Sequence, residues 1–202
     1  EVSEELRRDK LYRNIRKYSW VAIVLVILIV GAATYREYLQ SQAETEAELF
    51  GTSIIDALNE KNEADRILKL QKINPPGENA KAIVAMLLSA EATGNESATF
   101  KMSTLSNVTN SLSIDTQYRD LLNFKILLGS SEIMGLDERM KSFEGLSKPG
   151  NPFRLLAEEQ MALIELELGN TDNAIEKISQ ILLDSELTAG LRNRATQMLI
   201  AL

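Results

Sequence analysis

Residues 18–35, YSWVAIVLVILIVGAATY, form a run without a charged side chain between Lys17 and Arg36. As one helix its roughly 18 residues rise about 27 Å, close to the ~30 Å hydrocarbon thickness of a bilayer. Val21 to Val30 is apolar on every face, whereas a helix packed on a globular core usually keeps a polar stripe. Tyr18 and Trp20 mark one end and Tyr35 and Tyr38 the other, the places where amphipathic rings favour membrane interfaces. The run therefore predicts a transmembrane helix with these four residues as anchors. A buried core helix is the first competing reading. A cleavable signal peptide is the second, since Gly31-Ala32-Ala33 are small enough for a peptidase, but a signal core is shorter, about 7 to 15 residues. An uncleaved signal anchor fits better.

Charge predicts the orientation. Arg7, Arg8, Lys10, Arg13, Arg16 and Lys17 precede the run, while Arg36 to Phe50 holds Glu37, Glu44, Glu46 and Glu48 against the single basic residue Arg36. The positive-inside rule places residues 1–17 in the cytoplasm and residues 36–202 outside it. Arg7, Arg8, Arg13, Arg16 and Lys17 then hold the topology and meet anionic lipid. Nucleic acid is not an expected partner, because Glu1, Glu4, Glu5 and Asp9 dilute the cluster and the chain carries net charge -7. Glu1 is not an initiator Met, which leaves room for residues before it.

The part beyond Arg36 has the length of one ordinary domain. It contains no Cys, so no disulfide framework is available, and this neither establishes nor opposes export. Ala43, Ala47, Phe50, Ile54 and Ala57 recur at steps of four and three, predicting that the membrane helix runs on to Leu58 through Gly51. Glu63 to Ile73 is a second helix, stopped by Asn74-Pro75-Pro76-Gly77. Asn79 to Thr93, with Ile83, Met86, Leu87 and Ala90 on one face, turns at Gly94-Asn95 into Ala98 to Val108. Thr116 to Leu128 turns at Gly129-Ser130-Ser131 into a segment holding Ile133, Met134, Leu136, Met140 and Phe143. After the break Ser147-Lys148-Pro149-Gly150-Asn151-Pro152 come Phe153 to Leu168, with Ala157, Met161, Ile164 and Leu168 in register, then Thr171 to Leu183 and Thr188 to Leu202. No stretch sustains strand alternation, so the fold class is all-α.

The turns at Gly94, Gly129 and Gly169 lie about 35 to 40 residues apart, the period of stacked helical hairpins. In Gly169-Asn170-Thr171-Asp172-Asn173-Ala174-Ile175 a short turn enters a helix whose Ala174, Ile178 and Ile181 alternate small and large side chains. That unit resembles the second half of a tetratricopeptide repeat. The match is partial: Glu158 stands where an aromatic residue is expected and Ala162 where a small one is, and no Pro closes the unit at Glu186. An irregular helical bundle is the alternative.

The residue types favour a non-enzymatic reading, with a carboxylate or Ser/Lys mechanism as the enzymatic alternative. There is no His and no Cys, which removes the usual general base, thiolate nucleophile and soft metal ligands. Glu158, Glu159, Glu165 and Glu167 spread round one helix, and Lys148-Pro149-Gly150 lacks the phosphate-loop arrangement. No catalytic residue, metal site or cofactor is expected.

The whole chain is similar to the alphaproteobacterial YfgM-like, tetratricopeptide-repeat-like membrane proteins. The residues that carry the resemblance are Glu4-Glu5-Leu6-Arg7-Arg8-Asp9-Lys10 before a single span, Phe50-Gly51 in the following helix, Pro149-Gly150-Asn151-Pro152-Phe153-Arg154-Leu155 ahead of Ala157-Glu158-Glu159, and Leu191-Arg192-Asn193-Arg194-Ala195. The resemblance implies an inner-membrane protein with a periplasmic repeat domain, an ancillary subunit of the Sec translocon that works with periplasmic chaperones and exported polypeptides.

Two uses of the chain follow. In a binding module, stacked hairpins hold a peptide or partner protein, with Tyr118, Arg119, Asn123 and Lys125 and then Phe153 and Arg154 as candidate contacts, aromatic and Arg side chains being the usual anchors of interfaces. Half-buried packing is the other role open to Tyr118 and Phe153. In a structural accessory or assembly subunit bound laterally to another large inner-membrane complex, respiratory or similar, Gly31, Ala32 and Ala33 form the patch where the span packs on a neighbouring helix.

Overall fold

The computed structural model describes residues 2–92, 97–111, 113–131 and 133–202, with the side chains of residues 2–19, 22, 23, 97 and 98 outside the description. The expected Gly94-Asn95 turn and the side chains of Arg7, Arg8, Arg13, Arg16, Lys17 and Tyr18 therefore lie outside the described residues. Among the described residues every regular element is an α-helix. The chain divides into two units, Glu1–Gly51 and Thr52–Leu202.

The first unit consists of helix α1, Val2–Leu58, whose last turns belong to the second unit. It ends at Leu58, where the periodicity predicts its end. Gly31 and Gly51 lie within it, and an added Cβ at either meets nothing within 4 Å. Trp20 is 64% exposed, and Val21 and Val24 to Val30 are likewise exposed. Among the described residues no helix is long and apolar enough to cross a membrane, and the side chains at 18, 19, 22 and 23, within the charge-free run, are not among those described.

The second unit holds α2 (Glu63–Lys72), α3 (Glu78–Glu91), α4 (Ser97–Thr109), α5 (Thr116–Leu128), α6 (Leu136–Leu146), α7 (Arg154–Glu167), α8 (Thr171–Leu183) and α9 (Ala189–Ala201). Each packs on its neighbour in chain order from α2 to α9, and α3 also touches α5. The contact of α6 is more extensive with α7 than with α5, so the expected α5–α6 hairpin is the looser pairing.

Three apolar clusters hold these helices. Ala82, Ala85, Leu105, Ile114 and Leu122 join α3, α4 and α5. Phe124, Leu127, Phe143, Leu146, Ala157, Met161 and Ile164 join α5, α6 and α7. Leu155, Ala162, Ile178, Ile181, Leu191 and Ala195 join α7, α8 and α9. A fully buried ring such as Phe143, at 0% exposure, contributes about 1.5–3 kcal/mol by leaving water.

Two expected faces are corrected. Helix α3 buries Ala82, Val84, Ala85, Leu88 and Ser89, a face turned about one residue from the expected one, so that Ile83 and Leu87 are half-buried and Ala90 is exposed, while Met86 packs against the α3–α4–α5 cluster. Leu168 is the C-cap of α7 and is 42% exposed, one turn beyond the buried Ile164. The α7–α8 turn is a Schellman closure: Gly169 N–H donates to Leu166 O at 3.0 Å and Asn170 N–H to Glu165 O at 2.8 Å. It needs the left-handed φ of +81° that Gly169 adopts, a conformation that costs other residues about 1–2 kcal/mol.

Candidate interaction site

Of the residues singled out for partner contact, the structure brings Phe153 and Arg154 to one place. Asn151 ends the loop before α7 and turns it twice over: its side-chain oxygen accepts from Phe153 N–H at 2.8 Å, and its amide donates to Asp120 of α5 at 2.9 Å. Phe153 is thereby laid against Phe124, with ring centroids 5.7 Å apart and planes 19° from parallel. Phe124 in turn meets Phe143 edge-on at 6.0 Å. Phe153 is thus half-buried packing at the margin of the α5–α6–α7 cluster, one of the two roles open to it from the sequence.

Arg154, the first residue of α7, reaches across to the α8–α9 loop. It is 2.9 Å from Asp184, 2.8 Å from Glu186 and 3.4 Å from Glu158 one turn along its own helix. The hydrogen bonds it donates to Glu186 and then to Asp184 raise its pKa above the ordinary value and keep it charged. Asp184 is lowered below 3.8, first because it accepts the Glu186 backbone N–H and next because it faces Arg154. Arg154 and Glu186 line a cavity of about 330 Å³ together with Gly150, Asn151, Pro152, Leu155, Leu156, Thr188 and Leu191. Gly150 takes φ +84° there. Thr188 caps α9 by accepting from Leu191 N–H at 3.3 Å.

The remaining candidates are dispersed along α5. Tyr118 is half-buried against the α3–α4–α5 cluster. The Arg119 guanidinium donates to the carbonyls of Ser111 and Ile114 at 3.1 and 3.3 Å, which holds the segment before α5. Asn123 lines a second cavity of about 410 Å³ with Asp120, Ile126, Ser142 and Gly145, where α5 and α6 part. Lys125 is half-buried, and its carbonyl accepts Gly129 N–H at 3.2 Å. In α1, Tyr35 and Tyr38 are 62% and 58% exposed, the Tyr38 phenolic Oη accepts from the Gln42 side-chain amide at 2.7 Å, and Ala32 and Ala33 are exposed beside Gly31.

Sequence reasoning missed the long-range charge pairs. Arg194 of α9 grips Glu159 of α7 through two bonds of 2.6 and 2.8 Å, with the carboxylate 7% exposed; this raises the Arg194 pKa above the ordinary value. Arg139 of α6 is 6% exposed and lies 3.4 Å from Glu167 of α7, with its Nε buried and unpartnered. The Asn151-Pro152 turn signal was legible, but partners some thirty positions away leave no local mark. Among the described residues no group of acidic side chains is arranged to hold a metal ion. No family model, no curated protein and no solved structure matches the chain.

Proposed function

We propose that this chain is a membrane-anchored, non-enzymatic module for protein–protein interaction, spanning the bacterial inner membrane once through residues 18–35 and carrying a tetratricopeptide-repeat-like array in the periplasm. In this reading it is an ancillary subunit of the Sec translocon, assisting exported polypeptides or periplasmic chaperones, as the YfgM-like resemblance implies. The carrying observation is that Trp20, Val21 and Val24 to Val30 are exposed along α1, a band of bare apolar side chains that a lipid environment would cover. Thr34 supports it: its hydroxyl donates to Val30 O at 2.9 Å, satisfying its polar group within the helix as a bilayer requires. Packing of helices in chain order, with α3 also against α5, supports the repeat reading.

Because the chain has no Cys, single cysteines report topology cleanly. A cysteine replacing Ser185 should react with a membrane-impermeant maleimide in intact spheroplasts, and one replacing Ser3 only after lysis. Protection of the Ser185 site, or labelling of both, defeats the orientation. Crosslinking before lysis should recover translocon components with the chain.

A second reading, a structural accessory subunit of another inner-membrane complex, draws on Gly31, where an added Cβ meets nothing within 4 Å, and on exposed Ala32 and Ala33. Replacing Ala32 with Trp should break co-purification with that complex; unchanged recovery rules the reading out.

A further inference from the structure

The cavity between the first turn of α7 and the α8–α9 loop has one-sided chemistry. Its wall is apolar, made by Pro152, Leu155, Leu156 and Leu191. Its charged lining is Arg154 and Glu186, and two carboxylates outside the lining, Glu158 and Asp184, also lie within 3.4 Å of the Arg154 guanidinium. That leaves an excess of about two negative charges, and the starts of α7 and α9, worth about half a positive charge each, offset only about one of them. An anionic ligand would have to displace a carboxylate from Arg154 and face the others. A cationic ligand needs no displacement, because the Glu186 side chain is 72% exposed and keeps acceptor capacity beyond its bond to Arg154. The volume, about 330 Å³, is at the small end of ligand sites and suits a side chain or two of a polypeptide.

We propose that this cavity binds a basic side chain of a partner polypeptide, with its aliphatic stem on Pro152, Leu156 and Leu191 and its charge on Glu186. A lysine or arginine stem buries its methylenes on apolar surface while the head stays at the wet rim, which is the geometry this cavity presents. The inference rests on the interaction-module reading and adds to it what the partner must carry: a basic residue flanked by apolar ones.

The test uses the full chain in a non-ionic detergent and two fluorescein-labelled peptides, acetyl-Gly-Leu-Lys-Leu-Gly-amide and its glutamate counterpart, titrated by fluorescence anisotropy. The lysine peptide should bind more tightly, and more weakly as salt is raised. Glu186→Gln should weaken it about two- to fivefold, the scale of an exposed charge pair, Glu186→Asp should retain it, and Glu186→Lys should turn the preference toward the glutamate peptide. Glu176→Gln, on α8 outside the cavity, should change nothing. Arg154 keeps Asp184 and Glu158 in the Gln variant, so the fold has no reason to fail, and far-ultraviolet circular dichroism checks it. Equal binding of the two peptides, no binding of either, or a Glu186→Gln titration that overlays the parent overturns the proposal. Failure here is separable from failure of the functional reading: partner crosslinking unaffected by Glu186→Gln removes this site and leaves the module, whereas a failed topology assay leaves the peptide result standing.

Discussion

Replacing Arg194 with Ala isolates the polar contact that holds α9 to α7. Arg194 donates to both oxygens of Glu159 at 2.6 and 2.8 Å, and the carboxylate is 7% exposed whereas the guanidinium is 52% exposed. Stranding a fully buried charge costs about 3–5 kcal/mol. Here the departing side chain opens a path for water, which lowers the expected cost to about 2–3 kcal/mol, near the upper end for an unsatisfied buried acceptor. With a urea slope of about 2 kcal/mol per molar, the midpoint should fall by about 1 M, measured by circular dichroism on the full chain. Removing both partners as Glu159→Leu with Arg194→Leu leaves no stranded charge, so the double variant should recover at least half of the loss and give a coupling of about 1–2 kcal/mol. A double variant as unstable as the sum of its singles, or an Arg194→Ala midpoint equal to the parent's, refutes the reasoning.

Further outcomes follow from other sites. Gly169→Ala should cost about 1–2 kcal/mol although nothing lies within 4 Å of the added methyl; an unchanged melting temperature would mean that the φ of +81° relaxes freely. Arg139→Met should be neutral or stabilising, because burying an unpartnered Nε has a cost that an apolar chain of similar length avoids, whereas Arg139→Ala should destabilise by leaving a void; the same urea titration ranks them. Asp184 has a lowered pKa in the folded chain, so its contribution to stability is present above 3.8, its ordinary value, and is lost as pH falls through the lower folded value. Asp184→Asn should therefore flatten the acid end of the stability–pH curve, and parallel curves for variant and parent would contradict this.

Helix extents were legible where local chemistry decides them. Thr116–Leu128 and Thr171–Leu183 were read to the residue, the former stopped at Gly129 and the latter entered from the Gly169-Asn170 turn. The start of α6 was not legible: Ile133 and Met134 belong to the apolar segment, yet their N–H groups both donate to Ser130 O at 3.0 and 2.8 Å, a turn at a buried Ser that hydrophobic periodicity does not register. At the candidate site Phe153 and Arg154 stood out by residue type. Their roles did not, because Asp120, Asp184 and Glu186 come to them from other elements, and charge pairing over such separations is decided by how the helices pack.

Helices α5 and α7 each serve two clusters. From α7, Ala157, Met161 and Ile164 face α6 while Leu155 and Ala162 face α8 and α9; from α5, Leu122 faces α3 while Phe124 and Leu127 face α6. They act as partitions between compartments that are each too small to fold far out of step with the next. A displacement of such a wall loosens one compartment as it compresses the other, since close-packed interiors have little slack. An occupant at the first turn of α7 would consequently alter amide exchange on α6 as well as on α8 and α9, so that local contact is read out across two layers of the array.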